Sequence, residues 1–582
     1  MTASPSAGFT PSADPVPSAD PGPAADSMHS AAPDPAAAAG QEGAPATEAA
    51  VRLLTGLVAH GVGDIVLSPG SRSQSLALAA VALARSGSVR VHVRIDERVA
   101  GFTALGLGRE SGAPAVVVCT SGTAAAGYLP AAMEAFHAGV PLILLTADRP
   151  PELRGVGANQ ATIQPGMYRP WARLSIDAPV PGEADPTVFA DLAADAVAAA
   201  VGATGEGLAG VAGPVHLNLP VREPLSGTLP DPLRADRGSV PRLGPTAPLH
   251  LVRGPRTVVV AGADAGPDAE RISRTGGWPL IAEIVSGSRF GDHVVPAYRE
   301  RLREPALAGR IERVIVFGHP TLSREVAALL RRTDVEVIAV ARGGESLNLS
   351  GATVDARAIE VEAVPAARTD EDAAWLAAWT RAEGTHADLA PDGALDRTAL
   401  VRAVWDATGS DDRLLFGSSR IVRVADQALA GKDVRVHANR GLAGIDGTIA
   451  TGIGITLAAQ ARAQTADAGA GRTGVTRVLL GDLSLLHDVG SLLIPADEPA
   501  PRIQVVVGND GGGTIFDGLE VAGTAAAEDL DRAFYTPQSV ALAPLAAAYG
   551  WTYVRADGVA ELAHALAAEI AGPQLIEVPL AR

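Results

Sequence analysis

The chain has only one cysteine, Cys119, and only one lysine, Lys432, among its 582 residues. A single cysteine excludes an intrachain disulfide and a zinc site built on cysteines, and it is typical of proteins from a reducing cytosol. No apolar run reaches the roughly 18 residues that span a bilayer, and no basic segment precedes an apolar core near the start. We therefore expect a cytoplasmic protein that neither inserts into a membrane nor is secreted.

Positive charge is also scarce. The formal net charge is −18 at pH 7 and the pI is about 5.1, which argues against a general nucleic-acid-binding protein. Small anionic substrates remain compatible with this composition, because a few arginines can dominate the field locally. With 47% hydrophobic residues, a chain of this length can bury the cores of about three to four domains.

The first 45 residues contain almost no large apolar side chains and consist mainly of Ala, Pro, Ser, Asp and Gly. Such a segment buries too little surface to offset its ordering entropy, so residues 1–45 are predicted to form a disordered tail. Beyond it, strand-like runs alternate with Ala- and Leu-rich helical runs. This alternation predicts an α/β protein with parallel sheets in three consecutive domains.

We place these domains at residues 46–230, 231–390 and 391–582, with a linker rich in Pro, Gly and Arg over residues 221–256. The middle block contains the run VVVAGADAG, which begins at Val258. Its glycines have the wrong spacing for a dinucleotide-binding turn, so a structural βα turn is the better interpretation. Nucleotide or flavin binding there stays open as an alternative.

Two polar turns follow strand-like runs between Arg477 and Phe516. One places Asp482 directly after Gly481, and the other places Asp510 before three glycines. In a parallel sheet, both turns would lie at the carboxyl ends of strands, where open α/β folds bind ligands. Two hard oxygen ligands beside a glycine-rich backbone and a helix start suit a magnesium ion that holds a diphosphate. Ordinary βα turns are the alternative.

Polar residues also follow the strand-like runs of the first block. The segment SPGSRS, residues 68–73, combines hydroxyl groups and a guanidinium at a helix start, which favours an anion site over a simple helix cap. Residues 146–167 form a long polar loop, and such loops inside a compact domain are commonly functional. Glu97 opens a helical run, where a carboxylate by default complements the helix dipole.

Arg72, Arg423 and Arg440 each lie just beyond a strand-like run. Any one of them alone could form a surface salt bridge. Three such arginines in an acidic protein suggest a substrate with several carboxylates.

Taken together, the motifs resemble the menaquinone-pathway synthases of the MenD family, which are thiamine-diphosphate-dependent enzymes. The matching motifs run in order from about residue 50 to 520: SPGSRS, DER…ALGLGR, TSGTA, LLTADRPPEL, GANQ…QPGM, GPVHLNLP, GWPLI, NRG..GIDG, GDLS and NDGGGTIF. The combination of TADRPPEL with GANQ…QPGM separates this family from acetolactate synthases and pyruvate decarboxylases. Leu483 departs from the usual GDG…NN signature, since it replaces the glycine at the third position.

The resemblance implies a pyrimidine-binding, a central and a diphosphate-binding domain, in that order. It also implies a transferase that decarboxylates 2-oxoglutarate and adds the succinyl-semialdehyde carbanion to isochorismate. The implied cofactors are thiamine diphosphate and Mg²⁺, with Mn²⁺ as an alternative. A homodimer is the implied minimum, since the first domain of one subunit faces the third domain of its partner, and a dimer of dimers is expected. The rivals are another thiamine-dependent 2-oxo acid decarboxylase or carboligase and a non-catalytic paralogue.

The resemblance assigns roles on the cofactor. Glu97 matches the glutamate that activates the aminopyrimidine, and Ile445 matches the apolar wedge that keeps the cofactor bent. Asp482 and Asp510 match the side-chain metal ligands, and Gly512 offers a backbone carbonyl. Many relatives have Asn at the position of Asp510, and Asn509 is the alternative ligand. The remaining cofactor contacts are Gly481, Leu483 and Ser484.

The resemblance also assigns the substrate pocket. Arg149 is either structural or substrate-binding, and Arg324 would reach from the middle domain toward the second substrate. Arg72, Arg423 and Arg440 join Glu97 as the implied catalytic set. The implied substrate-binding residues are Ser71, Arg72, Arg149, Asn159, Gln160, Arg324, Ser419, Arg423, Arg440, Ile515, Phe516 and Leu519.

Overall fold

The computed structural model describes residues 44–203, 210–241, 246–340, 342–362, 369–381, 395–465 and 474–582. The predicted tail lies outside the described residues, apart from its last two positions: Ala44 precedes the first helix and Pro45 begins it. Within the described ranges, no helix is both long and apolar enough to cross a bilayer.

The first block folds into a parallel sheet with helices on both faces, in the order β2-β1-β3-β4-β6-β5. Its central strands are almost continuous runs of Val, Ile and Leu that are buried on both sides, as expected for a covered parallel sheet. The strands are β1 Asp64–Leu67, β2 Arg90–Val93, β3 Ala115–Cys119, β4 Leu142–Asp148, β5 Leu174–Asp177 and β6 Pro214–Pro220. The helices are α1 Pro45–Ala59, α2 Gln74–Arg85, α3 Glu97–Ser111, α4 Thr123–Gly127, α5 Leu129–Ala138 and α6 Val188–Ala200.

The middle block contains a parallel sheet in the order β12-β11-β10-β8-β9 and a separate β13-β7 pair. The strands are β7 Leu249–Leu251, β8 Thr257–Ala261, β9 Leu280–Ala282, β10 Arg313–Phe317, β11 Glu336–Val340, β12 Val354–Ala356 and β13 Ile359–Val361. The helices are α7 Asp268–Gly276, α8 Tyr298–Arg303, α9 Pro305–Ala308, α10 Arg324–Leu330 and α11 Asp370–Thr380.

The third block repeats the topology of the first, with the strand order β15-β14-β16-β17-β19-β18. The strands are β14 Arg413–Phe416, β15 Arg435–Ala438, β16 Thr476–Gly481, β17 Ile503–Asn509, β18 Thr552–Arg555 and β19 Gln574–Pro579. The helices are α12 Arg397–Ala407, α13 Arg420–Ala428, α14 Thr448–Thr465, α15 Asp482–His487, α16 Val521–Thr524, α17 Ala527–Leu530, α18 Leu542–Ala548 and α19 Val559–Ala567. Short 3₁₀ segments occur at Pro151–Leu153, Val489–Leu492 and Thr514–Gly518, and a π-helical turn at Asp531–Tyr535.

The predicted α/β class with parallel sheets is confirmed. The first and third sheets share one strand order, although the sequences of the two blocks show no recognisable repeat. The short strands β5 and β18 lie at sheet edges, and β7 belongs to the small separate pair. Strand β7 falls inside the predicted linker. The Ala-rich run over residues 124–137 forms two helices that meet at Tyr128, because Pro130 lies in the first turn of the second helix.

The first and third blocks meet along helices α3 and α14, which pack closely against each other. Gly106 and Gly454 lie at this contact. A Cβ atom on Gly106 would lie 2.1 Å from the Thr451 carbonyl oxygen, and one on Gly454 would lie 2.1 Å from the Thr103 carbonyl oxygen. Only glycine lets the two backbones approach this closely, because a carbonyl of a packed helix has little room to move.

We expect Gly454→Ala to lower the free energy of unfolding by about 1–3 kcal/mol, since the added methyl group forces α3 and α14 apart. The midpoint of chemical denaturation measures this change. Gly523→Ala is the matched control, because Gly523 also lies in a helix but has no atom within 4 Å of the position that an added methyl group would take. Equal midpoints for the two variants would contradict the close helix contact.

Candidate active site

Two carboxylates lie side by side at the carboxyl ends of neighbouring strands in the third sheet. Strands β16 and β17 pair in parallel, with Gly481 opposite Gly508. Asp482 then begins helix α15, and Asp510 directly follows β17. Both side chains are buried and line one cavity of about 280 Å³. Burial raises the pKa of Asp482, and the nearby charge of Asp510 adds to this shift.

The glycine-rich turn after Asp510 has a backbone that only glycine can adopt. Gly512 has a φ of +137°, and a Cβ atom there would lie 2.3 Å from the carbonyl oxygen of Tyr535. The next amide, Gly513 N–H, donates to that same carbonyl at 2.8 Å. The π-helical turn therefore fixes the glycine backbone at the cavity wall.

Asn509, the alternative metal ligand, is engaged elsewhere. Its amide nitrogen donates to Glu577 Oε1 at 2.8 Å, and Glu577 lies on the adjacent strand β19. Asp510, and not Asn509, is among the residues that line the cavity. This geometry favours Asp510 over Asn509 as the oxygen donor that faces a ligand.

Ile445, the predicted wedge, lines the same cavity and keeps 37% of its surface exposed. The hydroxyl of Ser484 donates to the Ile445 carbonyl oxygen at 3.1 Å. Ser484 belongs to α15, the helix that Asp482 begins. The loop that carries Ile445 is therefore attached to Asp482 through helix α15.

Arginines form a second wall of the cavity. The guanidinium of Arg440 donates to Thr321 Oγ1 at 2.9 Å and to Ser418 Oγ at 3.2 Å. Arg423 donates to the carbonyl oxygen of Ser419, the residue whose hydroxyl caps helix α13. Burial lowers the pKa of Arg440, and the charge of Arg423 contributes to this shift. Two cations held this close would be stabilised by an anionic ligand.

The apolar side of the cavity comes from Ile515 and Phe516, which follow the glycines. The Phe516 ring packs edge-on against Phe534 at a centroid distance of 5.2 Å. Two predicted substrate residues of the middle and third blocks are not among the residues that line this cavity. Leu519 is 40% exposed just beyond the 3₁₀ segment, and Arg324 is exposed at the first position of α10.

A separate polar cluster forms at the carboxyl ends of the first sheet. Arg72 is buried and donates to the Val221 carbonyl oxygen at 3.1 Å, and its backbone N–H donates to Thr120 Oγ1. Arg149 donates to Ser121 Oγ, and the Gln160 side chain donates to the Ser121 carbonyl oxygen at 2.9 Å. Burial lowers the pKa of Arg72, and the like charge of Arg149 adds to the effect.

Ser71 and Asn159 directly precede Arg72 and Gln160 in the chain, and both are exposed to solvent. Gln160 has a left-handed backbone, with a φ of 56°. An uncommon conformation of this kind in a non-glycine residue is often found at functional positions. The structure therefore brings Arg72, Arg149 and Gln160 together, with their two chain neighbours accessible to solvent.

Glu97 is the first residue of α3, and Asp96 caps that helix through the backbone N–H groups of Arg98 and Val99. Because Asp96 already serves as the cap, the Glu97 carboxylate is not needed for it. Gly127 leaves space beside Glu97, since a Cβ atom there would lie 2.8 Å from the Glu97 Cβ. Burial raises the pKa of Glu97, and the charge of Asp96 adds to the shift. A carboxyl of this kind holds a proton more tightly than an exposed one.

Apart from Leu519 and Arg324, the predicted residues thus fall into two groups. The cavity is lined by described residues between positions 418 and 516, whereas Glu97, Arg72, Arg149 and Gln160 belong to the first block. Sequence reasoning missed two polar contacts of the cavity group, those of Thr321 with Arg440 and of Arg397 with Asp510. No local motif marks these residues, because their partners are far away in the chain.

Comparisons with known proteins give matches to one family model and to full-length relatives. Residues 47–167 match the family model described as thiamine pyrophosphate enzyme, N-terminal TPP binding domain. The chain is 51% identical to the 2-succinyl-5-enolpyruvyl-6-hydroxy-3-cyclohexene-1-carboxylate synthase of Leifsonia xyli subsp. xyli, over 93% of this chain and 97% of that protein. It is 49% identical to the synthase of the same name from Clavibacter michiganensis subsp. michiganensis, with the same coverage.

A solved structure shows the same architecture at low identity. The crystal structure of benzoylformate decarboxylase from Polynucleobacter necessarius aligns with a TM-score of 0.61 at 14% identity, over 92% of this chain and 98% of that one. At this identity the likeness concerns the fold alone.

Proposed function

The chain belongs to the family of 2-succinyl-5-enolpyruvyl-6-hydroxy-3-cyclohexene-1-carboxylate synthases, and from this premise we propose that it is the thiamine-diphosphate-dependent transferase of menaquinone biosynthesis that this name describes. The family predicted from the sequence motifs is thereby confirmed. The proposed reaction takes 2-oxoglutarate and isochorismate, releases carbon dioxide and joins the succinyl-semialdehyde unit to the ring.

The observation that carries the proposal is the cavity in which two buried carboxylates face a wall of arginines. Carboxylate and carbonyl oxygens are the ligands that Mg²⁺ prefers, together with substrate phosphates. Asp482, Asp510 and the Gly512 carbonyl would hold Mg²⁺, or Mn²⁺ in its place, against the diphosphate. Gly481, Leu483 and Ser484 would line the diphosphate, and the exposed side of Ile445 would support the bend of the cofactor.

Thiamine diphosphate, when bound, supplies the carbon nucleophile for this chemistry. The protein's part is to place the reactants and to hold protons and charges. Glu97 would hold a proton at the N1′ nitrogen of the aminopyrimidine, a role that suits a carboxyl whose pKa is raised by burial.

The arginines would bind the carboxylates of the two substrates, each of which is a dianion. Arg440 is already oriented by Thr321 and Ser418, so little of its freedom is lost when a carboxylate binds. Arg72 and Gln160, with Ser71, Asn159 and Arg149, would supply the polar contacts of the first-sheet side. Ser419, Arg423, Ile515 and Phe516 would supply those of the cavity side. Leu519 and Arg324 remain proposed contacts that require the assembled site.

We further propose a homodimer as the minimal unit, with a dimer of dimers as the full assembly. The division of the site residues into two groups supports this proposal, since a partner subunit would bring one group to the other. The single cysteine, Cys119, is buried and unpaired, which supports the cytoplasm as the proposed location.

Turnover of 2-oxoglutarate with isochorismate tests the proposal, with Mg²⁺ and thiamine diphosphate omitted in turn. We expect product and carbon dioxide only when 2-oxoglutarate, isochorismate, Mg²⁺ and thiamine diphosphate are all present. Carbon dioxide release without an adduct to isochorismate would indicate another 2-oxo acid decarboxylase. The absence of any thermal shift with thiamine diphosphate and Mg²⁺ would indicate a non-catalytic relative.

A further inference from the structure

Arg397, a residue that no motif marks, contacts the second carboxylate of the cavity. It is the first residue of α12, and its Nη2 donates to Asp510 Oδ2 at 2.7 Å. Only 15% of the Arg397 side chain and 7% of the Asp510 side chain are exposed. We propose that Arg397 is a positioning residue that balances the charge of Asp510 and directs its other oxygen toward the metal ion. This inference rests on the proposed function.

The orientation argument starts from how the two oxygens of Asp510 are used. Thr514 Oγ1 also donates to Oδ2, at 2.5 Å, so this oxygen accepts two hydrogen bonds. No described residue donates a hydrogen bond to Oδ1. A carboxylate that is held through one oxygen presents the other in a fixed direction, and partners of this kind are typical of metal-ligating carboxylates.

The charge argument concerns the contents of the cavity. Asp482 and Asp510 place two negative charges near one another, and the diphosphate of the proposed cofactor adds more. A divalent cation offsets only part of this charge. Because the Arg397–Asp510 pair is nearly dry, its attraction is weakly screened by solvent. Arg397 therefore offsets the negative charge of Asp510, so that this carboxylate does not repel the diphosphate.

This arrangement makes the effects of the two residues interdependent. If Asp510 becomes Asn, Arg397 is left as an unpaired cation beside the metal site, so the metal ion is repelled as well as deprived of a charged ligand. If Arg397 is then replaced by Gln, the repulsion disappears while the amide oxygen of the Asn remains. The double variant should therefore bind metal more tightly than the Asp510→Asn single variant.

The test measures the affinity of the full-length protein for Mn²⁺ in the presence of thiamine diphosphate, by electron paramagnetic resonance of free Mn²⁺. We expect Asp510→Asn to lower the affinity by about 10–100-fold. We expect Arg397→Gln combined with Asp510→Asn to recover about tenfold of that loss. Arg397→Lys keeps the charge and should stay within a few-fold of the wild type.

A matched control is the buried pair of Arg477 and Asp412, joined at 2.7 Å near the amino-terminal ends of strands in the same sheet. Arg477→Gln, Asp412→Asn and their combination should leave Mn²⁺ affinity unchanged, even where they lower the denaturation midpoint. This control separates the loss of any arginine–aspartate pair from an effect on the metal site.

Two results would overturn the inference, and they differ in what else they affect. If the double variant binds Mn²⁺ no more tightly than Asp510→Asn alone, Arg397 does not act through Asp510, and the proposed function is untouched. If Asp510→Asn binds Mn²⁺ like the wild type, Asp510 is not a ligand, and both the inference and the proposed metal site are wrong.

Discussion

Replacing Glu97 by Gln is expected to reduce carboligation to near the background rate while leaving the denaturation midpoint unchanged. The amide cannot take up or release a proton, so the contribution of a general acid–base group, typically 10²–10⁴-fold, is lost. Stability should not change, because Asp96 rather than Glu97 caps helix α3. The measurement compares turnover under saturating cofactor with the midpoint of chemical denaturation.

The control for this variant lies at the other end of the same helix. Burial alone would raise the pKa of Glu110, but His437 and Arg413 act through hydrogen bonds and charge and lower it to about 2. Glu110 bridges from α3 to strands β14 and β15. Glu110→Gln should therefore lower the denaturation midpoint and preserve turnover per folded molecule, the opposite pattern to Glu97→Gln. Near-normal turnover of Glu97→Gln would contradict the role of Glu97.

The sequence is informative about the cavity where a general rule links position in the chain to position in space. The carboxyl ends of parallel strands share one edge of a sheet, so Asp482 and Asp510 could be placed together from the sequence alone. The same rule places Arg72 and Arg149 at one edge of the first sheet. Residues that follow strands are therefore the predictable part of the candidate site.

Contacts between residues that are distant in the chain follow no such rule. Arg397 stands 113 positions from Asp510, and nothing in its neighbourhood marks it as a partner of a carboxylate. The same holds for Thr321, which orients Arg440 from the middle block, and for the glycine contact between α3 and α14. These contacts depend on how whole sheets pack, and local patterns carry no information about that packing.

The two groups of predicted site residues suggest that each active site is built from two subunits. The cavity with Asp482 is lined by described residues of the third block, and Glu97 is not among them. If one subunit supplies Glu97 and its partner supplies Asp482, each active site draws on both chains. Two variants that are inactive alone would then complement each other when they share a dimer.

A dimer that pairs a Glu97→Gln chain with an Asp482→Asn chain is therefore expected to be active. One of its two sites combines both substitutions, while the other receives the intact Glu97 of one chain and the intact Asp482 of its partner. Random pairing makes half of the dimers mixed, so co-expression should restore about a quarter of wild-type turnover. Mixed dimers isolated through two different tags should reach about half of wild-type turnover.

If each site instead lay within one chain, both sites of the mixed dimer would carry one substitution and turnover would stay at background. A control that pairs Glu97→Gln with itself through the same two tags should remain inactive in either case, so activity in the mixed dimer alone assigns the two groups to different subunits.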